Sequence, residues 1–199
     1  NIRAPQTERG LSGYDQPFNN TTSVVWDIPV GSGRHFNLQN RFADLLIGGW
    51  AINAINTATS GLPVNVTYSA STPAQVSPLL SPRPNLTGSP IYTSGGDPRQ
   101  YLSAAAFVVP NFTQPFGSAG RNIVRGPIFQ QLDLGLHKNF RLWSESSRVE
   151  FRAEAFNLFN KTLFNVNSGF GTSVNSGGFG TFTQTLPPRQ IQMALKLVF

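Results

Sequence analysis

The closing stretch Arg189-Gln190-Ile191-Gln192-Met193-Ala194-Leu195-Lys196-Leu197-Val198-Phe199 alternates apolar and polar side chains almost without fault. Successive side chains of a strand point to opposite sides. Ile191, Met193, Leu195, Leu197 and Phe199 therefore share one face, and Gln190, Gln192, Ala194, Lys196 and Val198 the other. The pattern predicts a strand with one apolar face and one mostly wetted face. Two architectures use such strands. A soluble sandwich buries the apolar face against a second sheet. A closed barrel turns it toward hydrocarbon, with strands of about 9–11 residues tilted about 45°.

Composition narrows the field. Of 199 residues, 39% are hydrophobic and 12% charged, with 19 Gly, 15 Pro and 16 Phe. That balance fits many strands joined by long polar loops better than a helical enzyme or a highly charged disordered tail. There is no cysteine, which excludes disulfides, thiolate metal sites and thiol nucleophiles. The net charge of +6 rests mainly on scattered arginines, Lys being found only at 138, 161 and 196. No basic run with interleaved aromatics forms a nucleic-acid footprint. No run of about 18 apolar residues offers a spanning helix, a test that barrel strands escape. Residues 1–19 read as irregular loop, and the sequence reads as beginning partway through a longer chain, with any signal peptide outside it.

Five segments carry the two-residue period. The first, residues 21–30, sets Val24, Trp26 and Ile28 on one face and closes at Pro29 and Gly31. The second, residues 46–68, bends at Ser60-Gly61-Leu62-Pro63, and Gly48-Gly49 near its start implies a bulge or tight curvature. The third is 128–141, the fourth 148–160 and the fifth 189–199. A hairpin through Leu142-Trp-Ser-Glu-Ser-Ser147 predicts Leu136 opposite Ala153, Leu134 opposite Ala155, His137 opposite Arg152 and Asn139 opposite Glu150. In that register both strands agree on their apolar face, whereas a slip of one residue would exchange the faces. Long Ser-, Pro-, Gly- and Asn-rich loops are expected at 71–127 and 161–188, lengths uncommon within compact soluble domains. The connection between the first two segments, residues 31–45, is long for a short-turn end.

Candidate chemistry is sparse. Glu150 and Glu154 share a strand face but lie about 13 Å apart at about 3.3 Å per residue, beyond the roughly 5–9.5 Å of a glycosidase pair. Arg148, Glu150, Arg152 and Glu154 read instead as a charge ladder along a watery wall. His35 and His137 have no ligating neighbours at metal-site spacing. Neither a phosphate-cradling loop nor a nucleophile elbow occurs. The expectation is a protein that is not an enzyme and needs no cofactor or metal. Asn-x-Ser/Thr triplets, such as those at Asn20 and Asn65, are frequent by chance in a chain so rich in Asn and Thr.

Four ordered segments carry a resemblance: Gly48-Gly-Trp-Ala-Ile-Asn-Ala-Ile-Asn-Thr-Ala-Thr-Ser-Gly-Leu-Pro63; Gly120-Arg-Asn-Ile-Val-Arg-Gly-Pro127 with Leu132-Asp-Leu-Gly-Leu-His-Lys-Asn-Phe140; Phe151-Arg-Ala-Glu-Ala-Phe-Asn-Leu-Phe-Asn160; and Pro188 to Phe199. In this order they resemble the C-terminal part of TonB-dependent outer-membrane receptors, particularly the Oar-like group with a carboxypeptidase-regulatory-like domain. The resemblance implies an all-β fold: a curved, open antiparallel meander of about five strands, the C-terminal part of a transmembrane β-barrel with long extracellular loops, its plug domain and remaining strands absent from this sequence. It implies transport of an unidentified ligand across the bacterial outer membrane. Outer-membrane lipid, lipopolysaccharide, the barrel-assembly machinery and, through N-terminal parts, TonB would be its partners. Ile191, Met193, Leu195, Leu197 and Phe199 would form the assembly signal. Leu132, Leu134, Leu136, Val149 and Phe151 would face lipid, and Asp133, Arg148, Glu150, Arg152 and Glu154 the lumen. Trp26, Trp50 and Phe199 are girdle candidates. Lys138 falls on the apolar face and is expected to snorkel to an interface. Arg83, Arg99, Arg121 and Arg125 would sit in solvated loops. The alternative is a secreted β-sandwich adhesin or glycan-binding module with Tyr92, Tyr101, Phe107 and Phe112 as platforms. The direction in which Leu134, Phe151 and Leu195 point separates the two.

Overall fold

The structure, a computed structural model, describes residues 8–69, 82–111, 116–142 and 147–199. It divides into two compact units. A sheet unit comprises Phe18–Thr59, Phe129–Thr162 and Pro187–Phe199; a loop unit comprises Asn1–Pro17, Ser60–Ile128 and Leu163–Leu186.

In chain order the elements are β1 (Asn19–Asp27), α1 (Arg41–Ile47), β2 (Trp50–Thr59), β3 (Pro63–Val64), β4 (Asn85–Leu86), β5 (Phe107–Val108), β6 (Val124–Arg125), β7 (Phe129–Arg141), β8 (Arg148–Phe156) and β9 (Gln190–Val198). The sheet unit is one open five-stranded sheet in the order β1-β2-β7-β8-β9, every neighbouring pair antiparallel. The all-β open meander expected from the sequence is thus the fold. The β7–β8 hairpin pairs Leu136 with Ala153, Leu134 with Ala155, His137 with Arg152 and Asn139 with Glu150. Leu142 N–H donates to the Ser147 carbonyl at 3.0 Å to close it; residues 143–146 of the expected turn lie outside the described residues.

Boundaries differ where local chemistry overrides period two. The segment expected as strand 46–68 divides into three. Leu46 and Ile47 end α1, whose Asn40 side chain accepts the N–H groups of Phe42 and Ala43 at 2.9 and 3.4 Å, satisfying donors a helix start otherwise leaves unpaired. Gly48 and Gly49, read as a bulge or tight curvature, make the tight turn from helix to strand, Gly49 at φ +72°. A Cβ on Gly48 would come within 2.8 Å of Gly31 Cα, so the connection before β2 doubles back on itself through two glycines. β2 then ends at Thr59, and 60–68 belongs to the loop unit. β1 stops at Asp27, before Pro29, which lacks the donor a ladder needs. β8 stops at Phe156 instead of 160, because Asn157 and Asn160 adopt φ of +53° and +51° and turn the chain.

The loop unit has a core of its own. Val64, Val66, Leu102, Ala106, Phe107, Val124 and Phe179 are buried together. β3 pairs with β6 and β4 with β5. Phe170 stacks on Phe182 at 4.2 Å between centroids, and Phe164 on Phe182 at 4.8 Å, with Tyr101 tilted against the same ring at 5.7 Å. Gly61 lies against Gly126, where any Cβ would strike the Gly126 carbonyl. The segments expected as long loops therefore carry short strands and packed aromatics.

Candidate functional site

Each of the five strands contributes alternate residues to two faces, and the pairing decides which residues meet. Across the middle of the sheet run Val24, Ala54, Leu134, Ala155 and Ile191; the next row holds Trp26, Ile52, Leu136, Ala153 and Met193. A third row is Trp50, Lys138, Phe151 and Leu195, and a fourth Phe140, Val149 and Leu197. Leu132 extends the same face beside Asn56. From Leu132 to Phe140 this apolar face runs about 26 Å along β7 at about 3.3 Å per residue. Nothing of the sheet unit's own covers its β9 side: Ile191, Met193, Leu195 and Leu197 are exposed, Leu195 to 72%. Leu132, Leu134, Leu136, Val149 and Phe151, flanked by strands on both sides, are half-buried.

The opposite face is polar on β7, β8 and β9, whereas on β1 and β2 it carries Val25, Ala51 and Ile55 among Ser23, Asn53 and Thr57. Asp133, Gly135, His137 and Asn139 of β7 stand beside Glu154, Arg152 and Glu150 of β8, and these beside Gln192, Ala194 and Lys196 of β9. Arg148 Nε donates to Glu150 Oε1 at 2.8 Å, and Gln192 Nε2 to Glu154 Oε2 at 2.5 Å. His137 Nε2 lies 2.6 Å from Asn53 Oδ1. Asp133 is tied down at the strand end: its Oδ1 accepts from Gln131 Nε2 at 2.8 Å and from the Asn157 backbone N–H at 2.9 Å. The carboxylates on this wall are each engaged by a donor, an arrangement for holding a solvated surface in place.

Lys138 occupies the apolar face as the register requires, but it does not reach open water. It is 3% exposed, with Nζ 5.2 Å from the Trp50 ring centroid, 5.0 Å from that of Phe140 and 3.4 Å from the Asp44 carbonyl of α1. The expected snorkelling is replaced by a cation held over two aromatic faces beneath a helix. Of the girdle candidates, Trp26 and Phe199 are exposed and Trp50 is half-buried, its Nε1 donating to the Leu46 carbonyl at 2.9 Å.

In the loop unit the four arginines read as solvated differ. Arg83 pairs with Glu8 at 2.8 Å, Arg99 with Asp97 at 2.8 Å, and Arg125 with the Asp15 carboxylate and the carbonyls of Asp15 and Gly61. Arg121 is exposed. Burial tends to raise Glu8, but hydrogen bonds and nearby positive charge, Arg83 first among them, outweigh it and hold the carboxyl below its ordinary value. Burial pushes the Tyr101 phenol up, with neighbouring Tyr92 adding to the effect. Tyr101 and Phe107 pack within the loop unit, which removes them as open platforms; Tyr92 is partly exposed and Phe112 lies outside the described residues.

Two features escaped the sequence reading. One is α1, although Asn40 before an apolar run and Gly48-Gly49 after it are start and stop signals. The other is the Asn157 turn, in which Asn157 Nδ2 donates to the Lys161 carbonyl at 2.9 Å and Lys161 N–H to Asn157 Oδ1 at 3.0 Å. Asn160 Oδ1 then accepts the Arg189 N–H at 3.0 Å, tying the exit of β8 to the start of β9. The motif Phe156-Asn-Leu-Phe-Asn160 held that signal, since Asn tolerates positive φ better than other side chains.

A sequence-family model described as outer membrane beta barrel domain matches residues 1–192. Comparison with curated proteins and with solved structures finds no match.

Proposed function

We propose, from the premise that the chain belongs to the outer membrane beta barrel domain family, that it forms C-terminal wall and surface loops of a TonB-dependent receptor of the Oar-like group, taking up a ligand. Members of this family are β-barrel proteins of the bacterial outer membrane. The observation that carries the reading is the apolar face running through all five strands, set back to back on β7, β8 and β9 with a charged face. Alternation of lipid-facing and lumen-facing residues is what a transmembrane barrel demands. The sandwich alternative needs Leu195 buried against another sheet, and Leu195 is exposed.

Under this reading Leu132, Leu134, Leu136, Val149 and Phe151 meet lipid, as do Ile191, Met193, Leu195 and Leu197. The last four and Phe199 also serve recognition by the barrel-assembly machinery. Asp133, Arg148, Glu150, Arg152 and Glu154 line the lumen. The loop unit meets the external medium and lipopolysaccharide, and TonB engages an N-terminal part of the whole protein. The chain performs no bond chemistry and uses no cofactor. The test is retention of the whole protein, solubilised in detergent, on an immobilised periplasmic domain of TonB. Retention that is lost when the protein is heat-denatured is the expected result. A folded, heat-modifiable barrel that passes through unretained would overturn TonB coupling and leave the barrel itself standing.

A further inference from the structure

A short helix beside a sheet ordinarily turns its apolar side inward, and α1 does the reverse. Its anchoring groups are polar: Asn40 caps it, and Asp44 Oδ1 accepts the Ser32 N–H at 2.6 Å. Its apolar side chains point out. Phe42 is 80% and Leu46 72% exposed, with Leu45 and Ile47 exposed beside them. We infer that α1 is an interfacial helix whose Phe42, Leu45, Leu46 and Ile47 insert among the phospholipids at the short-turn end of the barrel wall.

Three observations converge on lipid as the occupant. First, α1 is held by the apolar side of the sheet. Trp50 Nε1 donates to the Leu46 carbonyl and Lys138 Nζ approaches the Asp44 carbonyl, and both side chains stand in the row that continues through Phe151 to Leu195. The helix's apolar side chains are thus continuous with the face that the proposed function turns to hydrocarbon, on which this inference rests. Second, the polar groups at the contact are consumed inward: the indole N–H and the ammonium both satisfy carbonyls of the helix, so the outward surface is aliphatic and aromatic, the chemistry of an acyl-chain boundary. Third, Arg41 lies exposed on the same connection and supplies a guanidinium suited to lipid phosphate, beside Arg34, which is exposed and 3.9 Å from the Asp27 carboxylate. α1 also lies between β1 and β2, at the sheet end opposite the two long excursions, which in a barrel is the periplasmic end, facing a phospholipid leaflet.

The 199 residues contain no cysteine, and any cysteine elsewhere in the whole protein is first replaced by serine. The whole protein is refolded into vesicles of phosphatidylethanolamine and phosphatidylglycerol, each sample carrying a nitroxide on one cysteine: Leu46→Cys, Phe42→Cys or, as a wall control, Leu195→Cys. Heat-modifiability verifies folding of each. Collisional relaxation by oxygen should exceed that by a water-soluble nickel chelate at all three, with the α1 labels about 5–10 Å inside the headgroup boundary. Nickel dominance at Leu46 and Phe42, with oxygen dominance at Leu195, would overturn the interfacial helix and leave the wall reading intact. Shielding of the α1 labels from both agents would also overturn it, in favour of a protein cover. Nickel dominance at Leu195 would instead sink the wall reading.

Discussion

Asn157 shows how much one residue can hold. Its backbone sits at φ +53°, its N–H is received by Asp133, and its amide bridges both backbone groups of Lys161. Asn157→Ala forces a side chain that disfavours this conformation and removes two hydrogen bonds, for an expected loss of about 1–3 kcal/mol. Asn157→Gly relieves the backbone and should lose less than Ala does. The ordering is read from urea midpoints of the heat-modifiable form, and an Ala variant as stable as wild type would refute the account. Gly61 tests close approach in the same way. Gly61→Ala places a methyl on the Gly126 carbonyl and should disorder the β3–β6 contact, visible as faster amide exchange at Val64 and Val124.

For the elements, the two faces of β9 make opposite predictions. Leu195→Arg puts a guanidinium on the apolar face midway along the strand and should cost about 2–4 kcal/mol, falling toward zero nearer an interface. Gln192→Arg, on the polar face beside Glu154, should be nearly neutral. Equal loss of assembled protein for both, measured as heat-modifiable barrel in outer membranes, would contradict the assignment of faces. The five strands of the sheet were legible because period two is written in consecutive residues and the β7–β8 register reconciles two such runs. α1 was not, because Leu45, Leu46 and Ile47 run directly through Gly48-Gly49 into Trp50, so a helix end and a strand start read as one apolar stretch. The loop unit's core was less legible still. Val66 and Phe179 belong to one core although more than half of the sequence separates them and no periodicity links them.

At the level of the whole molecule, the Glu8–Arg83 pair gives the loop unit a pH dependence of known sign. Glu8 has a lower pKa folded than unfolded. Its contribution is therefore present above the unfolded value of about 4.3 and lost as pH falls through the folded one. Acid titration followed by near-ultraviolet circular dichroism of the Tyr92 and Tyr101 cluster should show loosening below about pH 4. Arg83→Met should move that midpoint upward. The sheet makes a further prediction. β1 and β9 each pair on one side only, and an unpaired edge beside a broad apolar face invites association. The 199-residue chain produced by itself should elute as large oligomers in buffer, and a stable monomer by light scattering would count against the exposed face.

The loop unit is assembled from three separated stretches of chain, two of which, Ser60–Ile128 and Leu163–Leu186, connect strands of the sheet. Bringing Val66 to Phe179 through an open chain carries the entropy of closing a long loop. Once β2, β7, β8 and β9 are in register, most of that closure has already been met, and the aromatic stack needs only short excursions to form. The loops should consequently be the last part of the molecule to order. Resistance of the Phe170–Phe182 region to added protease would then work as a clock hand, reporting that the strands of the sheet have found their places.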